Sequence, residues 1–241
     1  MKPGRNAWQR AWCERHRGVD AAAVLRRVSA EGAIGPRYLF LTLASCGVAM
    51  LGLLQDSGPV VIGAMLMAPL LGPIVQLGVA LARADAAMAT RGVLALVVGT
   101  ASALALAVLL AWLAPGAAPT RELLSRTQPN LLDLGIAVLS GLAGGYALVR
   151  AEASVFAGVA IATALMPPLA TCGWGLAHAD LATAGGSALL FLCNLIGIAL
   201  GVAVVSAWYG LHAPGRLPAK LMLAVALLAA VSAPLSLRAA A

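Results

Sequence analysis

Apolar residues do not alternate with polar ones along this chain; they run on continuously. Seven stretches, at roughly 36–54, 59–82, 92–113, 131–149, 153–177, 183–209 and 219–237, are nearly free of charge. A helix needs about 20 residues to cross a hydrocarbon core, so each stretch reads as a membrane span, the first and fourth being short. Unbroken apolar runs predict helices rather than barrel strands, which would alternate. The expected fold is therefore an all-α polytopic membrane bundle.

The second and fifth stretches carry helix breakers where a span tolerates them least. "GAMLMAPLLGPIVQLGVALARAD" (63–85) and "GVAIATALMPPLATCGWGLAHAD" (158–180) align over 23 positions without a gap, and eight are identical. The coincidences that count are Pro73/Pro168, Gly78/Gly173 and the terminal Asp85/Asp180. The same offset of 95 lays span one on span four, with Ser45 on Ser140, and span three on span six. The unit is three spans used twice, with a seventh appended. An odd number makes the second copy enter from the other side, which predicts two inverted three-helix repeats. The expected organisation is a basic cytoplasmic tail (1–37), repeat one (38–113), an outer linker (114–130), repeat two (131–209), and a loop with span seven (210–241).

Charge gives the orientation. Eight of the sixteen Lys and Arg precede residue 38; with the N-terminus inside, thirteen lie on inner segments and three on outer ones. The positive-inside rule then puts the N-terminus in the cytoplasm and the protein in the cell (inner) membrane. Composition agrees, with 61% hydrophobic and 10% charged residues among 241, against about 25% charged in soluble domains. The net charge of +7 comes with no separate basic domain and no stacking aromatics, so nucleic acid is not an expected partner. The tail reads either as interfacial helices, with Trp8 and Trp12 on one face and Asp20 capping a second helix bearing Val24, Leu25 and Val28, or as a solvated segment. The first apolar run starts too late for a cleaved signal peptide.

Candidate chemistry is sparse. Proline lacks an N–H and collides with the carbonyl four residues back. Pro69 and Pro73 should free the carbonyls of Met65 and Pro69, and Pro167 and Pro168 those of Thr163 and Ala164. Unsatisfied carbonyls in a bilayer cost several kcal/mol unless buried in protein or facing a wet cavity. One turn on, Gln76 and Thr171 are repeat partners, and Asn194 lies at the centre of span six. The functional reading is a midplane substrate site lined by Pro69, Gly72, Pro73, Gln76, Pro167, Pro168, Thr171 and Asn194, taking a neutral solute or a cation held by carbonyls. The competing reading is a scaffold whose prolines kink two helices and whose polar groups hold neighbouring helices together. Gly141/Gly145 and Gly197/Gly201 form GxxxG pairs for close packing, within the chain or in a homo-oligomer. No ionisable group sits deep in a span, Asp85 with Arg83 and Asp180 with His178 read as interface anchors, and the four cysteines show no metal-ligand spacing. No nucleophile–base pair appears; the expectation is a protein without cofactor, metal or enzymatic activity.

"SGPVVIGAMLMAPLLGPIVQLGVALARAD", "VFAGVAIATALMPPLATCGWGLA" and "LLFLCNLIGIALG" closely resemble the domain of unknown function 389 family, also called the uncharacterised hydrophobic domain. The resemblance covers about residues 38–210. It implies an integral membrane protein with a cytoplasmic N-terminal region and an unsettled activity. Many relatives carry a larger soluble domain before the membrane part, where this chain has about 37 residues.

Overall fold

The computed structural model describes residues 19–114, 116, 118–151 and 165–211. The foremost tail with Trp8 and Trp12, the start of span five and the whole of span seven lie outside the described residues. The described residues form nine helices: α1 (Ala21–Glu31), α2 (Pro36–Leu54), α3 (Gly58–Met67), α4 (Leu71–Arg83), α5 (Ala86–Trp112), α6 (Arg121–Leu124), α7 (Leu131–Arg150), α8 (Met166–Ala177) and α9 (Leu181–Trp208). Among them α2, α5, α7 and α9 are long and apolar enough to cross a membrane, and α3 with α4, bent by 56°, has the length and composition of a broken span or a re-entrant loop. Large apolar side chains such as Phe40, Trp112, Leu132 and Leu181 stand on the outside of the bundle. That is a surface made for lipid rather than water.

The ends of these helices follow local chemistry. Asp20 accepts from the Ala22 and Ala23 N–H groups and starts α1. Asp85 accepts from Met88 N–H at the start of α5, and Asp180 from Ala182 and Thr183 N–H at the start of α9. The aspartates expected to anchor span ends beside Arg83 and His178 are thus helix N-caps. The Thr183 hydroxyl adds a bond to Asp180, and its donors hold that carboxyl below the usual range. Helices α4 and α7 end on left-handed Ala84 and Ala151, and Asp56 and Ala179 are left-handed as well. At each of the first two turns of this kind the next residue closes the motif, Ser57 N–H to Gly52 O and Asp85 N–H to Ala80 O.

These features repeat at a constant interval. Helices α2, α4 and α5 start at 36, 71 and 86; α7, α8 and α9 start at 131, 166 and 181, each 95 residues later. The four left-handed non-glycine residues pair at the same interval, Asp56 with Ala151 and Ala84 with Ala179.

Contacts give the directions. Tyr38 Oη donates to Ala95 O at 2.7 Å and Cys46 Sγ to Ala103 O at 3.1 Å, so α2 and α5 advance together and run parallel. The chain between them must return the length of the bundle, and the α3–α4 pair makes that return. In the second half Gly197 meets Ala137, and Gly145 meets Val202 and Val205, so α7 and α9 are parallel too. The two GxxxG motifs face each other here, inside one chain. Gly173, near the end of α8, packs against Ala107 and Val108 near the end of α5. Helix α9 begins at that end, where α5 finishes, so α5 and α9 run oppositely.

The halves also exchange partners. Gly78 of α4 packs on Ala199 and Val202 of α9, while Gly173 of α8 packs on Ala107 and Val108 of α5. Adding or subtracting 95 turns the Gly78–Val202 contact into the Gly173–Ala107 contact. Each post-break helix is therefore seated on the long helix of the other half.

Candidate functional site

The break between α3 and α4 is built by Pro69. Having no N–H, it cannot continue α3, and Ala68 before it is extended (φ −68°, ψ 117°). Two of the four freed carbonyls predicted from sequence, those of Met65 and Pro69, are not free. Ala68 N–H bonds Met65 O and Gly72 N–H bonds Pro69 O, each at 3.3 Å. The chain tightens to three-residue bonding at the break, and that satisfies the two oxygens proline had released. Ala68 N–H is thereby diverted from Ala64 O, four residues back, and the Ser45 hydroxyl donates to that carbonyl at 2.7 Å. Ser45 is the cross-helix support of the break.

Pro73, Pro167 and Pro168 fall in the first turns of α4 and α8, where a missing N–H costs no intrahelical bond. They start helices rather than kink them. The Thr163 and Ala164 carbonyls, and the segment equivalent to α3, lie outside the described residues.

The eight predicted residues separate into distinct places. Pro69 and Gly72 line a cavity of about 530 Å³ between the α1–α2 connection and the break. Gln76 is 2% exposed, beneath Gly32 at the end of α1 and beside Gly92 of α5. Pro73 packs with it against Gly92. Pro167, Pro168 and Thr171 are buried in α8, and Asn194 is buried at mid-length of α9. The cavity wall includes none of Pro73, Gln76, Pro167, Pro168, Thr171 or Asn194. That cavity therefore holds two of the eight, while Gln76 on α4 and Thr171 on α8 belong to helices that each dock on the other half's long helix.

What the fold does build is a pair of polar faces. Gln76 Oε1 and Thr171 Oγ1, 95 residues apart, are both buried without a hydrogen-bond partner among the described residues. Four further buried atoms are in the same state among the described residues, Arg83 Nε on α4, Trp174 Nε1 on α8, Arg126 Nε and Ser206 Oγ; the sequence marks Arg83 only as an interface anchor and does not single out Trp174. Gln76 and Arg83 are seven apart, and Thr171, Trp174 and His178 follow i, i+3, i+7, so each set shares one helix face. That spacing was the signal available in the sequence. His178 stacks on Trp174 with centroids 4.2 Å apart, and its Nδ1 lies 2.9 Å from Trp174 O. Since a carbonyl only accepts, Nδ1 carries the proton there. Each face thus leads from the start of a post-break helix to a basic side chain at its end.

Comparison with known proteins comes to rest on family alone. The profile described as "Domain of unknown function (DUF389)" matches residues 65–200. An uncharacterized protein of Methanocaldococcus jannaschii is 29% identical over 173 residues, covering 72% of this chain and 54% of the relative. The chain therefore spans about half the length of that relative. No solved structure matches.

Proposed function

The chain belongs to the DUF389 family, and we propose that it is a non-enzymatic, transporter- or channel-like membrane protein that passes a small neutral solute bearing hydrogen-bond acceptors. In this reading the N-terminus is cytoplasmic and the two halves form an inverted repeat across the bilayer. The opposed directions of α5 and α9 support that arrangement. The polar face of α4 then leads to the inner side and that of α8 to the outer side, as in repeat-built transporters whose sites lie at discontinuous helices.

The observation that carries the proposal is the paired state of Gln76 and Thr171. A buried polar group left unsatisfied costs about 1–3 kcal/mol, and paying that cost at equivalent points of both halves fits a site completed by a passing molecule. Donors dominate: the Thr171 hydroxyl, the Trp174 indole N–H and the Arg83 Nε–H, while the Gln76 amide presents either end according to its flip. Of the carbonyls that could hold a bare cation, those of Met65 and Pro69 are bonded within the break. Acceptor-bearing solutes match this lining; a desolvated cation does not.

The test is uptake by the purified full chain in liposomes across a panel of small solutes, with Gln76→Leu and Thr171→Val beside the parent. Parent flux of at least one solute should fall roughly tenfold in each variant, the value of one hydrogen bond of about 1.4 kcal/mol. Both variants should also melt higher than the parent, since each removes a buried orphan. Absence of flux for every solute, or equal flux in all three, refutes the proposal and leaves a non-transporting scaffold.

A further inference from the structure

The cavity beside the break is separate from the two polar faces, and its chemistry is different. Its rim includes Ile34 and Leu66, 41% and 53% exposed, so it opens on the flank of the bundle. Leu41, one turn into α2, and Leu71 supply apolar wall. Two charged residues border it. The Glu31 carboxylate is already paired with Arg27 Nε at 2.8 Å. Arg37 is exposed at the first turn of α2 and has no ion-pair partner among the described residues. The groove therefore presents one guanidinium, without a counter-charge among the described residues, at the start of a span and leucines beyond it.

We propose that this groove binds one anionic phospholipid, with its phosphate on Arg37 and an acyl chain along Leu41 and Leu66. A guanidinium suits a phosphate because its planar fork can make two parallel hydrogen bonds. The volume of about 530 Å³ falls inside the ~300–1,000 Å³ range of sites that enclose a small molecule. A water-soluble phosphate would leave the leucine wall uncovered, and a neutral lipid would leave Arg37 unpaired. Basic groups beside a span attract anionic headgroups generally; the groove adds a place for the chain.

Gly35 supplies the blocking variant. It lines the cavity, its backbone is extended (φ −161°) and a Cβ added there meets nothing within 4 Å. Gly35→Trp should fill the groove without disturbing the fold. The full chain is reconstituted in vesicles of phosphatidylcholine with phosphatidylglycerol, or of phosphatidylcholine alone, extracted in mild detergent, and its retained lipid counted by native mass spectrometry. The parent should retain phosphatidylglycerol in preference to phosphatidylcholine. Arg37→Gln should reduce that preference roughly tenfold, the loss of a charge-assisted bond, and Gly35→Trp should abolish retention of both lipids at an unchanged melting temperature. Excess inorganic phosphate should not displace the lipid. Equal retention in all three proteins, equal retention of the two lipids by the parent, or displacement by phosphate would overturn the proposal. None of these outcomes depends on whether the chain transports anything.

Discussion

Gly201→Val should separate α7 from α9 and lose about 3 kcal/mol or more, the upper range for overpacking a close contact. A Cβ at position 201 would stand 2.6 Å from three backbone atoms of the opposing helix, Val138 O, Gly141 C and Leu142 N. Backbone cannot rotate away as a side chain can, so the helices themselves must part. Gly141 in turn faces the Ile198 backbone, and the two glycines leave no slack for each other. Gly185→Val is the control on the same helix. A Cβ there meets nothing within 4 Å, and relief from glycine's backbone entropy, about 0.5–1 kcal/mol relative to alanine, opposes any loss. Thermal melts in detergent should show a marked fall for position 201 and little change for 185. Equal behaviour would mean that α7 and α9 are not in backbone contact.

The second large effect is expected as a matched pair. Gly78→Val and Gly173→Val should destabilise by similar amounts, each about 2–3 kcal/mol. At Gly78 an added Cβ would lie 2.6 Å from Ala199 O and 2.7 Å from Val202 Cβ; at Gly173 it would strike Ala107 Cβ and lie 3.0 Å from Val108 N. These are the two places where each half seats its post-break helix on the other. If the exchange is real, the two losses match, and the double variant fails to assemble. A severe loss at one site with none at the other would break the equivalence of the halves.

The sequence carried more of the architecture than of the site. Reading 36–54 as span one coincides with Pro36–Leu54, and 131–149 ends one residue short of Leu131–Arg150, because apolar runs bounded by Gly, Pro and charge leave little choice. Span three was started at 92, whereas α5 begins at Ala86. Arg91 counts by its charge as part of an inner segment between spans, yet Asp85 caps a helix that carries it. The 95-residue interval was legible from proline, glycine and aspartate alone. Asp20 was legible as the cap of a helix bearing Val24 and Val28, both of which are buried.

The fate of the carbonyls was not legible. Proline chemistry says which oxygens lose a donor, but not that Ala68 and Gly72 would turn back to them, since that depends on how tightly the chain winds at the break. Nor did the sequence say that Gly32 and Gly72 let the end of α1 settle on α4 over Gln76. Such fits depend on pairs of residues distant in the chain. Depth and pairing mark Gln76 and Thr171 in the sequence; that neither Gln76 Oε1 nor Thr171 Oγ1 has a partner among the described residues is a consequence of packing.

Ala87 and Ala182 are repeat-equivalent and exposed, each the second residue of its helix, α5 and α9 respectively. Each is replaced by cysteine in a Cys13→Ala background, the remaining cysteines being buried, and the two proteins are treated in intact cells with a membrane-impermeant maleimide. Opposed halves require Ala182→Cys to be labelled from outside and Ala87→Cys only after the membrane is opened. Labelling of both from the same side would contradict the inverted arrangement on which the proposed route depends.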